Sequence, residues 1–160
     1  MVILRPASPA DASQVAEVDL AARSAALPDV DCVHSPEEIR QWIAESLIPS
    51  GGVFVAEQGG RIVGYIAVRD SWVDQLHVRP THWRHGVGTL LLRLVQERHP
   101  HGLTCYCFRC NSRARMFYEH HGFTAIGLSD EEADAQEQPD ILYSWPGITK
   151  APVAAAAAEG

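Results

Sequence analysis

Apolar residues recur along the chain with two different periods, and glycine, proline and small polar residues mark the breaks. Val2-Ile3-Leu4-Arg5-Pro6 predicts an opening strand. Val15, Val18 and Ala22 recur at helical spacing over Asp11 to Ala26, behind Ser8 and Pro9 as a start signal. Pro28 to His34 is read as a loop. Ser35-Pro36-Glu37-Glu38 combines a serine cap, proline in the first turn and acids facing the helix dipole, so a helix is expected from there to about Leu47. Pro49-Ser50-Gly51-Gly52 breaks it. Val53 to Ala56 and Ile62 to Val68 then read as a hairpin turning at Gly59-Gly60, and Trp72 to Val78 as a further strand.

The second half alternates element types. A helix is predicted over Leu90 to Glu97, a strand over Leu103 to Arg109, and a helix over Asn111 to His121, closed by Gly122. Strands follow at Phe123 to Gly127 and Ile141 to Trp145, with the acidic segment Ser129 to Pro139 between them. The expectation is one mixed α+β domain, a central sheet with helices on its faces, over residues 1–147. The Ala-rich stretch 148–160 is expected to fray.

Composition narrows the function classes. With 160 residues, 46% hydrophobic and 21% charged, the chain can build a core without disulfide or metal staples. Its formal net charge of -7 argues against a general nucleic-acid binder and would suit a cationic substrate. No segment approaches the roughly 18 apolar residues of a membrane span, and the start lacks a basic-then-apolar secretory pattern. Cys105, Cys107 and Cys110 crowd one short segment with Cys32 far off, poor spacing for a disulfide framework, which points to a reducing cytoplasm. Cys107 and Cys110 form a Cys-x-x-Cys pair. A closed zinc site would need Cys32 or a histidine besides, and structural thiols are the expectation, with no metal. His99, His101, His120 and His121 lie near predicted helix ends, where imidazolium suits the dipole.

Candidate chemistry centres on Arg84-His85-Gly86-Val87-Gly88-Thr89. A strand, a glycine-bearing turn and a helix start aim successive backbone N–H groups at one point, which makes an anion site. Glycines at 86 and 88 remove the Cβ atoms that would keep a phosphate away. Alone, Gly-x-Gly is a weak signal, and neither the third glycine of the dinucleotide fingerprint nor the ending of the P-loop is present.

About one strand later comes Asn111-x-x-Ala114-x-x-Phe117-Tyr118-x-x-x-Gly122-Phe123. Together with Leu76-His77-Val78-Arg79-Pro80 and the glycine loop, it resembles the GNAT superfamily of N-acetyltransferases. The similarity covers most of the chain and is sharpest from Trp72 to Phe123. It implies a three-layer α+β sandwich whose mostly antiparallel sheet contains one splayed strand pair flanked by helices. It implies acetyl-CoA as co-substrate and an amine, on a small molecule or a protein, as acceptor. The family's loop opens on Gln or Arg where this chain has Trp83, which puts that side chain's cofactor contact in doubt.

The resemblance also implies site residues. The Leu76 amide would face the acetyl carbonyl as an oxyanion-hole donor, Val78 would pair with the pantetheine arm, and His77 lies in the same cofactor-binding strand segment. Arg84, His85, Gly86, Val87, Gly88 and Thr89 would hold the pyrophosphate. Asn111, Phe117 and Tyr118 would line the cofactor, with Tyr118 giving a proton to the leaving thiolate; Asn111 could equally cap its helix. Asp74 is the candidate for relaying the amine proton or binding the ammonium. Period-two alternation puts Trp72, Asp74 and Leu76 on one face and turns His77 to the other. The acceptor pocket is expected from Leu20–Leu47 and Ser129–Pro139, and by analogy with the family a homodimer is possible. The competing expectations are a domain of the same fold that binds acyl-CoA without turnover, and a cysteine-bound metal protein.

Overall fold

The computed structural model describes residues 1–28, 34–128 and 140–148. Cys32, the acidic segment Ser129–Pro139 and residues 149–160 lie outside them. Seven strands form one sheet: β1 (Val2–Pro6), β2 (Val53–Gln58), β3 (Arg61–Arg69), β4 (Trp72–Val78), β5 (Leu103–Phe108), β6 (Thr124–Leu128) and β7 (Asp140–Trp145). Their order is β1-β2-β3-β4-β5-β7-β6. Every neighbouring pair is antiparallel except β4 and β5.

The helices are α1 (Ala12–Ala26), α2 (Pro36–Trp42), α3 (Ile48–Ser50), α4 (Val87–Arg98) and α5 (Ser112–His120). A π-helical segment, Ile43–Leu47, joins α2 to α3, so the helix expected to run to Leu47 changes hydrogen-bond pattern at Ile43. The start signals take shape as read. Ser35 Oγ accepts from the Glu38 N–H at 3.1 Å while Glu38 Oε1 accepts from the Ser35 N–H at 2.8 Å, a reciprocal capping box. Gly59 and Gly60, at φ 60° and 78°, make the two-residue turn between β2 and β3.

Strand alternation sorts the core into two layers. Val15, Val18, Ile39, Ile43, Val55, Tyr65 and Ala67 pack on the α1–α2 face. Ile66, Val68, Leu91, Leu92, Val95, Leu103 and Tyr118 pack on the α4–α5 face. Gly64 lets α4 approach closely: a Cβ there would stand 3.0 Å from Val87 Cγ1. That contact seats the first turn of α4, which begins at Val87 rather than Leu90.

Two local features of β4 shape everything that follows. Its register against β3 slips between Val68↔Val73 and Ala67↔Gln75, so Asp74 is an extra, bulged residue. On the other edge, β4 and β5 share the single register pair Trp72↔Thr104, supported by Thr104 N–H donating to Ser71 O at 2.9 Å. Beyond that point the strands diverge, each held by its outer neighbour.

Candidate active site

The divergence of β4 and β5 opens a cavity of about 780 Å³ that passes through the sheet. One wall is Ala22, Arg23 and Ala26 of α1; the opposite wall includes Gly88 of α4 and Phe117 of α5. The orientation of the β4 backbone follows from its pairing. Arg79 N–H donates to Val63 O at 2.8 Å, which makes this a hydrogen-bonded antiparallel pair. In such a ladder the bonded and non-bonded pairs alternate, so Tyr65↔His77 is bonded and Ile66↔Leu76 and Gly64↔Val78 are not. The N–H and C=O groups of Leu76 and Val78 therefore point away from β3, into the gap.

At one end of the cavity lies the glycine loop. Gly86 is the N-cap of α4 in the left-handed conformation, φ 84°, and Arg84 also has positive φ, 67°. Arg84, Gly86, Gly88 and Thr89 line the cavity. His85 and Val87 do not. The His85 ring meets His82 edge-on, and the Val87 side chain is core under Gly64, which leaves it only a backbone role. Thr89 Oγ1 lies 3.1 Å from His121 Nε2. Trp83, the position that departs from the resembled pattern, is held firmly. Its indole N–H donates to Val78 O at 2.8 Å, and the Arg113 guanidinium stacks 4.0 Å from the ring centroid. Composition and motif gave no sign of this pairing, because Arg113 and Trp83 come together only when α5 folds against the loop.

Leu76, His77, Val78, Asn111, Phe117, Tyr118 and Asp74 also line the cavity. Asn111 caps α5, its Oδ1 accepting from the Ala114 N–H at 3.1 Å. Tyr118 is buried among Phe117, Phe123 and Tyr143, with ring centroids 5.4, 5.2 and 6.2 Å away. Burial first, and then the Cys105 and Cys107 thiols, hold its hydroxyl proton well beyond the usual phenol range; that hydroxyl shares a hydrogen bond with Cys105.

The bulge corrects the alternation expected for β4. Trp72 pairs with Arg69 and stacks on Tyr106 at 5.4 Å, whereas Leu76 packs on the α4–α5 layer, so the two do not share a face. Asp74 lies between registers, 3.4 Å from Arg69, bordering this cavity and a smaller one beside Trp42 and Ser46. Burial raises its carboxyl pKa, against the pull of Arg69.

His77 does turn to the α1 face, and that face also lines the cavity. There it joins a buried polar cluster absent from any motif. Asp19, fully buried, accepts from Tyr65 Oη at 2.5 Å and from Arg23 Nε at 2.6 Å. His77 Nε2 lies 2.9 Å from Gln75 Oε1 and 3.6 Å from Asp19 Oδ2. Burial opposes the Asp19 charge, but the His77 ring, Arg23 and Tyr65 outweigh it and hold its carboxyl below the usual range. Burial pushes the His77 imidazole down to about 4.

Against this geometry, residues 49–125 match the acetyltransferase (GNAT) domain family. The matched stretch is a GNAT acetyltransferase domain, and the described chain has the GNAT fold. Among its relatives is the peptidyl-lysine N-acetyltransferase YiaC of Escherichia coli, 27% identical over 107 residues, 66% of this chain and 71% of that protein. The Mycobacterium tuberculosis protein Rv2775, named a probable N-acetyltransferase, is 34% identical over 61% of this chain and 62% of its own length. Apo YjaB from Escherichia coli superposes with a TM-score of 0.76 at 20% identity, covering 92% of this chain and 99% of that one. The PaiA N-acetyltransferase of Thermoplasma acidophilum, solved with coenzyme A, gives 0.67 at 18%, covering 91% and 99%. At such identities the structures establish the GNAT fold alone.

The cysteine segment fits this fold as strand and helix start. Cys105 and Cys107 are buried on the α4–α5 side of β5, and burial pushes both thiols up to about 12. Cys110 is exposed. Among the described residues no three His, Cys, Asp or Glu side chains gather as metal ligands, and no helix is long and apolar enough to cross a membrane.

Proposed function

We propose that the domain, residues 1–147, transfers the acetyl group of acetyl-CoA to a primary amine by direct attack in a ternary complex. The observation that carries the reading is the pair of outward-facing backbone positions, Leu76 and Val78, on an edge of β4 that leads to the glycine loop. The Val78 carbonyl is taken by the Trp83 indole, but the other outward-facing groups, without a strand partner, need another one, and an extended pantetheine amide arm supplies it. The backbone N–H groups of Arg84 to Thr89, at the start of α4, hold the pyrophosphate, where the helix dipole favours negative charge. Phe117, against Gly88, walls the arm.

In this arrangement the thioester carbonyl lies against the Leu76 N–H. That donor points at the oxygen where charge develops as the amine nitrogen bonds to the carbonyl carbon. The C–S bond then breaks and the sulfur takes the Tyr118 hydroxyl proton. The high phenol pKa keeps that proton in place until a thiolate forms. The acceptor enters from the α1 side, opposite the loop, where Asp74 offers its carboxylate to an ammonium group. A lysine side chain is one candidate acceptor, since YiaC is a peptidyl-lysine acetyltransferase.

The test is an amine panel with acetyl-CoA, reading free CoA thiol: small amines, polyamines, amino acids and lysine peptides. Amine-dependent thiol release at rates well above hydrolysis is expected with at least one class. Saturable acetyl-CoA binding without release for any amine would refute catalysis and leave an acyl-CoA-binding domain.

A further inference from the structure

Resting on the acetyltransferase reading above, we infer that His77 Nδ1 takes the proton from the attacking amine, and that Asp19 and Gln75 are positioning residues that hold its ring. His77 lines the cavity, its side chain is turned to the α1 face, and it follows the Leu76 amide by one residue. An acceptor that enters past Ala22 and Ala26 meets it at the reacting carbon.

Hydrogen-bond logic sets the tautomer. Arg23 Nη2 lies 3.0 Å from Gln75 Oε1, and a guanidinium has only donors, so the atom facing it must be the amide oxygen. That same oxygen lies 2.9 Å from His77 Nε2, and the next nearest partner, Asp19 Oδ2 at 3.6 Å, is also an acceptor. Nε2 therefore carries the hydrogen. Nδ1 keeps a lone pair and has no hydrogen-bond partner among the described residues. The charged and titratable groups facing the ring are Asp19 and Arg23 of α1 and Tyr65 of β3, whose ring is 5.7 Å away. Tyr65 and Arg23 both bond Asp19, so the carboxylate cannot swing away. At 3.6 Å it acts on His77 through charge rather than through a hydrogen bond.

The chemistry balances. The amine binds as the ammonium beside Asp74, loses that proton to solvent, and its lone pair then attacks the carbonyl carbon. The nitrogen then bears a positive charge and becomes far more acidic than the free ammonium, so a weak base suffices. His77 Nδ1 takes that proton, and the fixed Asp19 charge stabilises the imidazolium. The C–S electrons go to sulfur, which takes the Tyr118 proton. The imidazolium proton returns through solvent to the Tyr118 oxygen, leaving amide and free thiol. Burial keeps the resting ring neutral near pH 7, which holds the lone pair ready.

Two measurements decide it. Nitrogen-15 spectra of histidine-labelled wild-type protein at pH 7 should show His77 as the neutral Nε2–H tautomer; an Nδ1–H ring or an imidazolium overturns the assignment. His77→Ala should lose roughly 10²-fold in kcat at unchanged acetyl-CoA Kd, and added imidazole should restore the rate in proportion to its concentration. His77→Gln keeps an amide that can donate toward Gln75 but lacks the basic nitrogen, and should lose as much without rescue. Wild-type kcat in either folded variant overturns the inference while leaving the acetyltransferase reading intact. So does a loss in folded His77→Ala that imidazole does not restore. Absence of turnover in the wild-type protein with every amine would instead fell the acetyltransferase reading, and this inference with it.

Discussion

Replacing Tyr118 with phenylalanine removes one oxygen from the cavity wall and leaves the ring among Phe117, Phe123 and Tyr143. The packing is retained, so the stability change is that of one buried hydrogen bond to a weak partner, the Cys105 thiol, about 0.5–1 kcal/mol. For a domain of this size that shifts Tm by about 1–4 °C. The effect on turnover is larger. Loss of a general acid costs roughly 10²-fold in kcat at the lower end of its range, about 2.7 kcal/mol of barrier. The loss is modest because a thiolate can leave unprotonated. Acetyl-CoA Kd should hold, since no cofactor contact other than the hydroxyl changes. Because burial and the neighbouring thiols keep the phenol protonated, the wild-type rate should show no alkaline decline from this residue below about pH 10. The assay is steady-state kcat beside calorimetric acetyl-CoA Kd, in a variant whose Tm has been measured. Full kcat in the folded variant would refute proton donation and leave Tyr118 as a packing residue.

A Cβ at Gly88 would stand 3.4 Å from two Phe117 ring atoms and 3.8 Å from Val78 Cγ2, so the methyls of Gly88→Val must displace that ring or enter the cavity. CoA affinity should fall by roughly tenfold or more, about 1.4 kcal/mol, and unchanged affinity in folded protein would remove the loop from the cofactor site. Asp74→Asn should raise KM for a cationic acceptor roughly fivefold, about 1 kcal/mol for a half-exposed ion pair, with kcat nearly constant. Identical kinetics at low and high salt would take Asp74 out of the acceptor site. Arg5 grips Asp11 through two bonds, of 2.8 and 3.0 Å, and holds its carboxyl down at about 2. Because the folded value lies below the unfolded one, this stabilisation is complete above about pH 4 and fades as pH falls toward 2. Asp11→Asn should cost about 1 kcal/mol at pH 7, after allowance for the exposure of Arg5, keep roughly a third of that near pH 2.5 and match wild type only below about pH 1.5 in urea unfolding; a constant difference across that range would refute the linkage.

Much of the fold was legible because it is written in local chemistry. Strand and helix periods, the Ser35 capping box, the Gly59-Gly60 turn and the Asn111 cap each depend on residues within a few positions of one another. The glycine turn was legible for the same reason: a left-handed glycine cap and the helix start behind it involve consecutive residues. Element ends were missed where packing set them, as at Val87, drawn into the first turn of α4 by a glycine on β3. Alternation along β4 failed because one inserted residue, Asp74, shifts the facing of the strand before it relative to the strand after it. A bulge of this kind is decided by the partner strand, and a single strand's sequence carries no record of it.

The amino-acid sequence by itself determined the order of elements, the glycine turn that opens α4 and the helix that carries Tyr118. Tertiary structure decided which polar groups meet. Asp19 and Tyr65 stand 46 positions apart, Arg23 and Gln75 52, and each pair becomes a hydrogen bond only when α1 lies across β3 and β4. The single parallel pair between β4 and β5 is equally non-local, and because the pairing stops there, the backbone groups that the β3 ladder turns outward meet a gap instead of a neighbour. Periodicity assigns a side chain to a face of its own element, but the surroundings of His77 depend on what meets it there: a buried α1 carboxylate held by two donors, and the Gln75 amide of its own strand, whose oxygen direction is set by an α1 arginine.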